Sequence, residues 1–144
     1  MEKKQRKTAR AIIFDKDDVI LLFRRKIKDN KINEYYAIPG GTQEIGETLE
    51  QTVIREIKEE LSLNIKVNKY LGSFKRDDTT DYLYSANIID GKLALGGEEK
   101  EHNSKNDYYE IVKINIKDID KYNILEKNKQ YIKEVYKRKE HNND

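Results

Sequence analysis

The chain has 144 residues, 36% apolar and 39% charged, which suits one hydrophilic domain with a single core. Its 29 basic and 27 acidic residues give a formal net charge of +2, a balance that does not argue for nucleic acid or membrane as a partner. There is no cysteine, so disulfide and thiolate chemistry are excluded, and no apolar run reaches membrane-span length. The first residues lack the apolar stretch of a secretory signal, so the expected location is the cytoplasm.

In chain order, residues 1–7 read as a flexible basic arm. Thr8–Phe14 is a strand candidate, DKDD at 15–18 a turn, and VILLFRR at 19–25 a buried strand ending in Arg24 and Arg25. KIKDNKINE at 26–34 reads as a polar loop, and YYAIPGG at 35–41 as a short strand stopped by Pro39 and two glycines. A helix follows over about Thr48–Leu61. Strands are expected at 65–74, 81–89 and 108–116, with an acidic loop at 96–107 before the last of them. From Asn123 the apolar residues Ile124, Leu125, Tyr131, Ile132, Val135 and Tyr136 recur at helical spacing, so the chain should close with an amphipathic helix. The expectation is one mixed α/β domain over 8–139 and a flexible tail at 140–144. The basic runs near both ends suit solvated tails and helix faces, and an RNA contact is their alternative.

The helix at 48–61 carries an anomaly. At about 100° per residue, Val53, Ile54, Ile57 and Leu61 share one stripe, and Glu56, Glu59 and Glu60 crowd an adjoining sector. Like charges at i,i+3 and i,i+4 cost roughly 0.2–0.5 kcal/mol per pair. Anions near a helix C-terminus cost about 0.3–1 kcal/mol each. A cluster that opposes local stability marks a site whose missing partner is a cation. Carboxylate oxygens suit Mg²⁺ or Mn²⁺, and the lack of Cys and scarcity of His argue against zinc. The alternative is an ordinary acidic face relieved by Arg55, Lys58 and water.

The surrounding spacing adds to this. Five residues separate Gly41 from Glu47, seven separate Glu47 from Arg55, and Glu56, Ile57, Lys58, Glu59, Glu60, Leu61, Ser62 and Leu63 follow. The stretch resembles the Nudix box, G-x5-E-x7-R-E-U-x-E-E-x-G-U with U a bulky apolar residue, and departs from it only at Ser62, where the box has glycine. Tyr36-Ala37-Ile38-Pro39-Gly40-Gly41 resembles the family's usual approach to the box. Glycine at position 62 would form the left-handed cap of the helix. Serine there should weaken stability and leave chemistry alone.

The resemblance implies a Nudix-type α/β/α sandwich with a mixed sheet, the box helix and a C-terminal helix. It implies a hydrolase that cleaves a pyrophosphate bond in a nucleoside diphosphate derivative with the help of Mg²⁺ or Mn²⁺. A nucleoside triphosphate, nucleotide sugar, ADP-ribose or dinucleoside polyphosphate would each qualify. By position, Glu59 and Glu60 resemble metal ligands, Glu56 a further ligand or the general base, and Gly40 a backbone ligand. Arg55 and Glu47 resemble the ion pair that holds the loop to the helix. Outside the box, Glu98 is the first candidate for another carboxylate ligand, ahead of Glu99 and Glu101. Arg24 or Arg25 is a candidate phosphate donor, Tyr82 with Tyr84 a candidate base platform or core pair, and His102 a minor general-acid candidate. Alternatives are an RNA 5′-end pyrophosphohydrolase and a non-catalytic ligand-sensing module. Oligomerisation is possible.

Overall fold

The computed structural model describes residues 5–96, 104 and 106–141. Seven strands form one mixed sheet: β1 (Arg6–Asp15), β2 (Asp18–Lys28), β3 (Lys31–Ala37), β4 (Gly40–Thr42), β5 (Leu63–Arg76), β6 (Thr79–Gly91) and β7 (Asp107–Asn115). Helix α1 (Leu49–Leu61) follows β4. A 3₁₀ turn (Ile116–Lys121) then leads from β7 toward helix α2 (Glu126–His141). The main path through the sheet is β3-β2-β1-β6-β5, with β4 on β1 and β7 on β2. Among the described strands only β1 and β6 run parallel, from Arg6 beside Thr79 to Ile13 beside Ala86. The sheet is therefore mixed, as expected. β1 begins inside the expected arm, and α2 runs two residues past the expected domain end.

Alternation along β1 builds two cores. Ala9, Ala11 and Ile13 face α1 and meet Val53, Ile57 and Leu61, all fully buried. Ile12 faces the other way, toward Leu83, Ile119 and Ile132 on the α2 side. The two alanines let α1 lie close to the sheet. Ile54, expected on the buried stripe, is 41% exposed, and Thr52 is buried instead.

The polar stretch at 26–34 is a hairpin and not a loop. Asp29 and Asn30 both adopt left-handed φ, 53° and 63°, between Lys28 and its partner Lys31. Two such residues make the tight turn that matches strand twist, and Asp and Asn bear that backbone best among residues other than glycine. The β5–β6 register shifts three times, after Asn64, Val67 and Tyr70, so this long pair bends.

Helix α1 is fixed at both ends. The Thr48 side chain accepts from Gln51 N, and the Gln51 side chain accepts from Thr48 N, a capping box. Ser62 takes the left-handed cap conformation (φ 63°, ψ 29°), donates its N–H to the Lys58 carbonyl and donates its hydroxyl to the Ala94 carbonyl. Ala94 N and Gly96 N donate to the carbonyls of Leu61 and Glu60. The segment after β6 thereby satisfies two of the last open carbonyls of α1. Among the described residues no helix is long and apolar enough to cross a membrane.

Candidate active site

The site grows from the junction of β4 and α1. Gly40 pairs with Arg10 of β1 at φ 151°, and a Cβ there would meet the Ala9 carbonyl at 2.2 Å. At Gly41 a Cβ would lie 2.4 Å from the Glu56 carboxyl carbon. Gly40 is thus required by the close approach of the strands, and Gly41 makes room for the Glu56 carboxylate where it now lies.

The three box glutamates have three different surroundings. Glu60 is 5% exposed and accepts from Gly40 N at 3.0 Å. Glu56 lies under Gly41 and accepts from Arg55 Nη1 at 2.9 Å. Glu59 is half exposed and accepts from the same nitrogen at 3.2 Å. The expectation that these carboxylates lack protein partners is corrected. The Arg55 guanidinium touches two of them, and a backbone amide touches the third.

Arg55 is the hub of the loop that precedes α1. Its Nε and Nη2 donate to the two oxygens of Glu47 at 2.7 and 3.0 Å, and Nη2 also donates to the Thr42 carbonyl. Glu47 further accepts from Glu44 N and Thr52 Oγ1. Hydrogen bonding from Arg55, then from the Glu44 amide, holds the Glu47 carboxyl at about 2, against an ordinary value of 4.5. The same Glu47 contact holds the Arg55 guanidinium protonated still more firmly. This is a bidentate, half-buried pair that ties residues 42–47 to the helix.

A second network, not foreseen from the sequence, anchors the strand side. Asp81 is 2% exposed and accepts from Thr8, Arg10 and Arg76. Arg10 in turn donates to the Ile38 carbonyl at 2.9 Å, just ahead of Pro39. Burial works to raise the Asp81 carboxyl, and Arg76, Arg10 and Thr8 together hold it below its ordinary value. Arg10 and Asp81 are far apart in sequence and carry no motif, so only the parallel β1–β6 register brings them together.

The structure gathers Gly40, Glu47, Arg55, Glu56, Glu59 and Glu60 into one cluster. Arg24 and Arg25, adjacent on β2, point to opposite faces. Arg24 shares its face with Ile20 and Leu22 of the α1-side core, lies 4.2 Å over the Tyr109 ring, and donates to the Tyr109 hydroxyl. Arg25 lies over Tyr108 at 5.0 Å. Both Nε atoms are buried without hydrogen-bond partners. The tyrosines that hold these arginines had no sequence signal, because they reach β2 only through its pairing with β7. Tyr84 is buried, and Tyr82 packs on the same core with its ring 6.4 Å from that of Tyr70, so the pair serves packing here. Glu98, Glu99, Glu101 and His102 lie outside the described residues.

The residues present fit a hard divalent cation in kind. They offer oxygen donors on neighbouring turns of one helix, one of them buried, against two glycines that leave no space for side chains. They do not form a ready cage: among the described residues, no group of three or more His, Cys, Asp or Glu is placed to hold an ion. Arg55 supplies the positive charge next to Glu56 and Glu59 in this arrangement.

The family model for the NUDIX domain matches residues 4–136. An ADP-ribose pyrophosphatase from Methanocaldococcus jannaschii is 39% identical over 95 residues, 62% of this chain and 55% of that protein. An 8-oxo-dGTP diphosphatase from Proteus vulgaris is 32% identical over 65 residues, 45% of this chain and 57% of that one. The chain thus spans little more than half the length of these two curated relatives. A NUDIX-family hydrolase from Clostridium perfringens superposes with TM-score 0.68 at 20% identity, covering 92% of this chain and 96% of that one, which is a likeness of fold. With the family model spanning nearly the whole domain and the box residues gathered at one site, the chain belongs to the Nudix family.

Proposed function

We propose that this protein hydrolyses a pyrophosphate bond in a nucleoside diphosphate derivative, with ADP-ribose the first substrate to try. The observation that carries this reading is the cluster of Glu56, Glu59 and Glu60 against Gly40 and Gly41, which sacrifices helix stability for a concentration of carboxylate oxygens. The name of the M. jannaschii relative supports the choice of ADP-ribose, and that of the P. vulgaris relative keeps oxidised nucleoside triphosphates on the panel.

Nudix hydrolases generally use divalent metal ions, and Glu59 and Glu60 would hold one here, with Glu56 beside them as the base. Such an ion would neutralise phosphate oxygens and orient the attacking water. The chain's own residues do the rest. The Glu47–Arg55 pair fixes the loop 42–47 against α1, so Gly40 and Gly41 stay in register with the carboxylates. Glu56, half-buried under Gly41, is the proposed acceptor of the attacking water's proton. Arg24 is the donor for a phosphate or base on the α1 side of the sheet, with Tyr35 and Tyr109 at its flanks.

An RNA 5′ end, favoured only by the basic runs, ranks behind a small nucleotide. A ligand-sensing role ranks behind both, since all the box glutamates are kept. The test is a panel of ADP-ribose, nucleotide sugars, 8-oxo-dGTP, dinucleoside polyphosphates and 5′-triphosphate RNA, with Mg²⁺ or Mn²⁺ and with excess chelator. The expected result is release of a phosphorylated product from one small nucleotide, abolished by chelator and restored by either ion. Full turnover in chelator overturns the reading.

A further inference from the structure

Residues 38–40 form the corner that brings the chain from β3 to the box carboxylates. Ile38 and Pro39 fall between β3 and β4, and Pro39 has no N–H to give to a ladder. Two bonds from β1 secure this gap. Ala11 N donates to the Pro39 carbonyl at 3.0 Å, and the Arg10 side chain donates through Nη1 to the Ile38 carbonyl at 2.9 Å. The next residue is Gly40, whose amide donates to Glu60 at 3.0 Å. One guanidinium thus stands two residues from the amide that engages the most deeply buried box glutamate.

Arg10 also reaches Asp81, but the seam between β1 and β6 does not depend on that contact. The seam is already registered over eight residue pairs. Asp81 accepts from Thr8 and from Arg76 Nε at 2.6 Å, while its contact with Arg10 Nε is 3.4 Å. The shorter bond of Arg10 is the one to the corner. A guanidinium holds its donors in a fixed fork, so Asp81 sets the direction of the Arg10 side chain and the fork carries Nη1 to the Ile38 carbonyl. The stem packs on the corner as well: a Cβ at Gly40 would lie 2.8 Å from Arg10 Cγ.

We propose that Arg10 is a positioning residue for the carboxylate site. It holds the Ile38 carbonyl to β1, and the Gly40 amide stays on Glu60 as a result. Arg10 acts here through the backbone of the corner. Its link to metal affinity rests on the reading of Glu60 as a ligand, and its hold on Gly40 does not.

The test combines amide hydrogen exchange of the metal-free chain with Mn²⁺ titration in the absence of substrate. Leu83, fully buried in β6, reports global opening. Arg10→Met removes the donors and keeps an apolar stem. It should raise exchange at Gly40, relative to Leu83, by about tenfold, as expected for loss of one hydrogen bond. Mn²⁺ binding should weaken by about tenfold or more, the usual cost of losing a group that orients a metal ligand. Arg10→Lys keeps a charge beside Asp81 without the fork, so it should fold as the parent does and still loosen Gly40, by less. Arg76→Gln is the control. It takes the shorter arginine contact from Asp81 and leaves the corner alone, so it should lower the melting temperature with both local readouts near the parent's. If Arg10→Met does not fold, Arg10→Lys decides alone. Gly40 as well protected in Arg10→Lys as in the parent, or loosened as much by Arg76→Gln as by the Arg10 variants, would overturn the proposal. A parent chain that binds no Mn²⁺ would instead overturn the metal reading of the carboxylates, and the Gly40 exchange would still judge Arg10.

Discussion

The two described helices sit on opposite faces of one sheet and treat charge in opposite ways. In α2 the charges are matched locally: Glu134 meets Arg138 one turn later, and Lys133 reaches Asp120 of the 3₁₀ turn. In α1 three glutamates share a face near the C-terminus, and one of them is nearly buried. The single arginine among them is tied first to Glu47 of the preceding loop. The α2 pattern gains a few tenths of a kcal/mol per pair. The α1 pattern is locally unfavourable and persists because caps at both ends, a buried apolar stripe and the Arg55 hub overdetermine the helix. A helix that must present carboxylates is anchored everywhere else.

The sharpest way to break this comparison is the chelator experiment on turnover, where complete loss is expected. Next is Glu56→Gln, expected to lower kcat by about 10²–10⁴ with no recovery at high Mg²⁺. Glu59→Gln and Glu60→Gln should instead weaken metal binding and recover in part as Mg²⁺ is raised. Metal-free melting temperatures of the three variants should stay close to the parent's, since each relieves repulsion and an unfavourable dipole contact but weakens a hydrogen bond, from Arg55 at Glu56 and Glu59 and from the Gly40 amide at Glu60. Three fully active variants would reduce α1 to the same kind of helix as α2.

Gly41→Ala tests the cradle. Its methyl group would push the Glu56 carboxylate aside, so it should lower turnover while costing less than about 1 kcal/mol of stability, since the far end of a side chain can swing away. Unchanged melting and unchanged rate would show that Glu56 does not need that space. The loop staple gives a pH signature. Because the folded carboxyl of Glu47 is depressed, its contribution to stability is full above the ordinary value of 4.5 and is lost as pH falls toward about 2. Acid unfolding of Glu47→Gln, followed by circular dichroism, should lose that dependence.

The smallest effects come last. Lys133→Gln breaks an exposed pair of α2 and should change stability by less than about 1 kcal/mol, with turnover untouched. Ser62→Gly relieves a left-handed serine but gives up its hydroxyl contact to Ala94. The net gain should be several tenths of a kcal/mol, read as a small rise in melting temperature at constant rate.

Much of this arrangement is legible along the chain because it is local. Helix α1, its cap at Thr48, its left-handed end at Ser62 and the sector shared by three glutamates all follow from residues within one or two turns of each other. The spacing from Gly41 to Leu63 fixes which residues meet, since helical geometry translates separation into direction. The hairpin at Asp29-Asn30 was readable in principle: both residues tolerate positive φ, and polarity alone disguised it as a loop.

Tertiary structure decided what depends on pairing between distant segments. Ile54 has the spacing of a core residue but is 41% exposed, at the edge of the stripe, and Thr52 is buried in its stead. Arg24 and Arg25 are neighbours in sequence, yet the pleat sends them to opposite faces, and β7 then supplies a different tyrosine to each. Asp81 holds Arg10, and through it the Ile38 carbonyl, only because β6 lies parallel to β1. The partners of the box glutamates belong here too: Arg55 turns toward Glu56 and Glu59 because Glu47 and the Thr42 carbonyl hold it there. Periodicity carries which face a residue occupies. What it touches on that face is set by strand register, and register is a property of the assembled sheet.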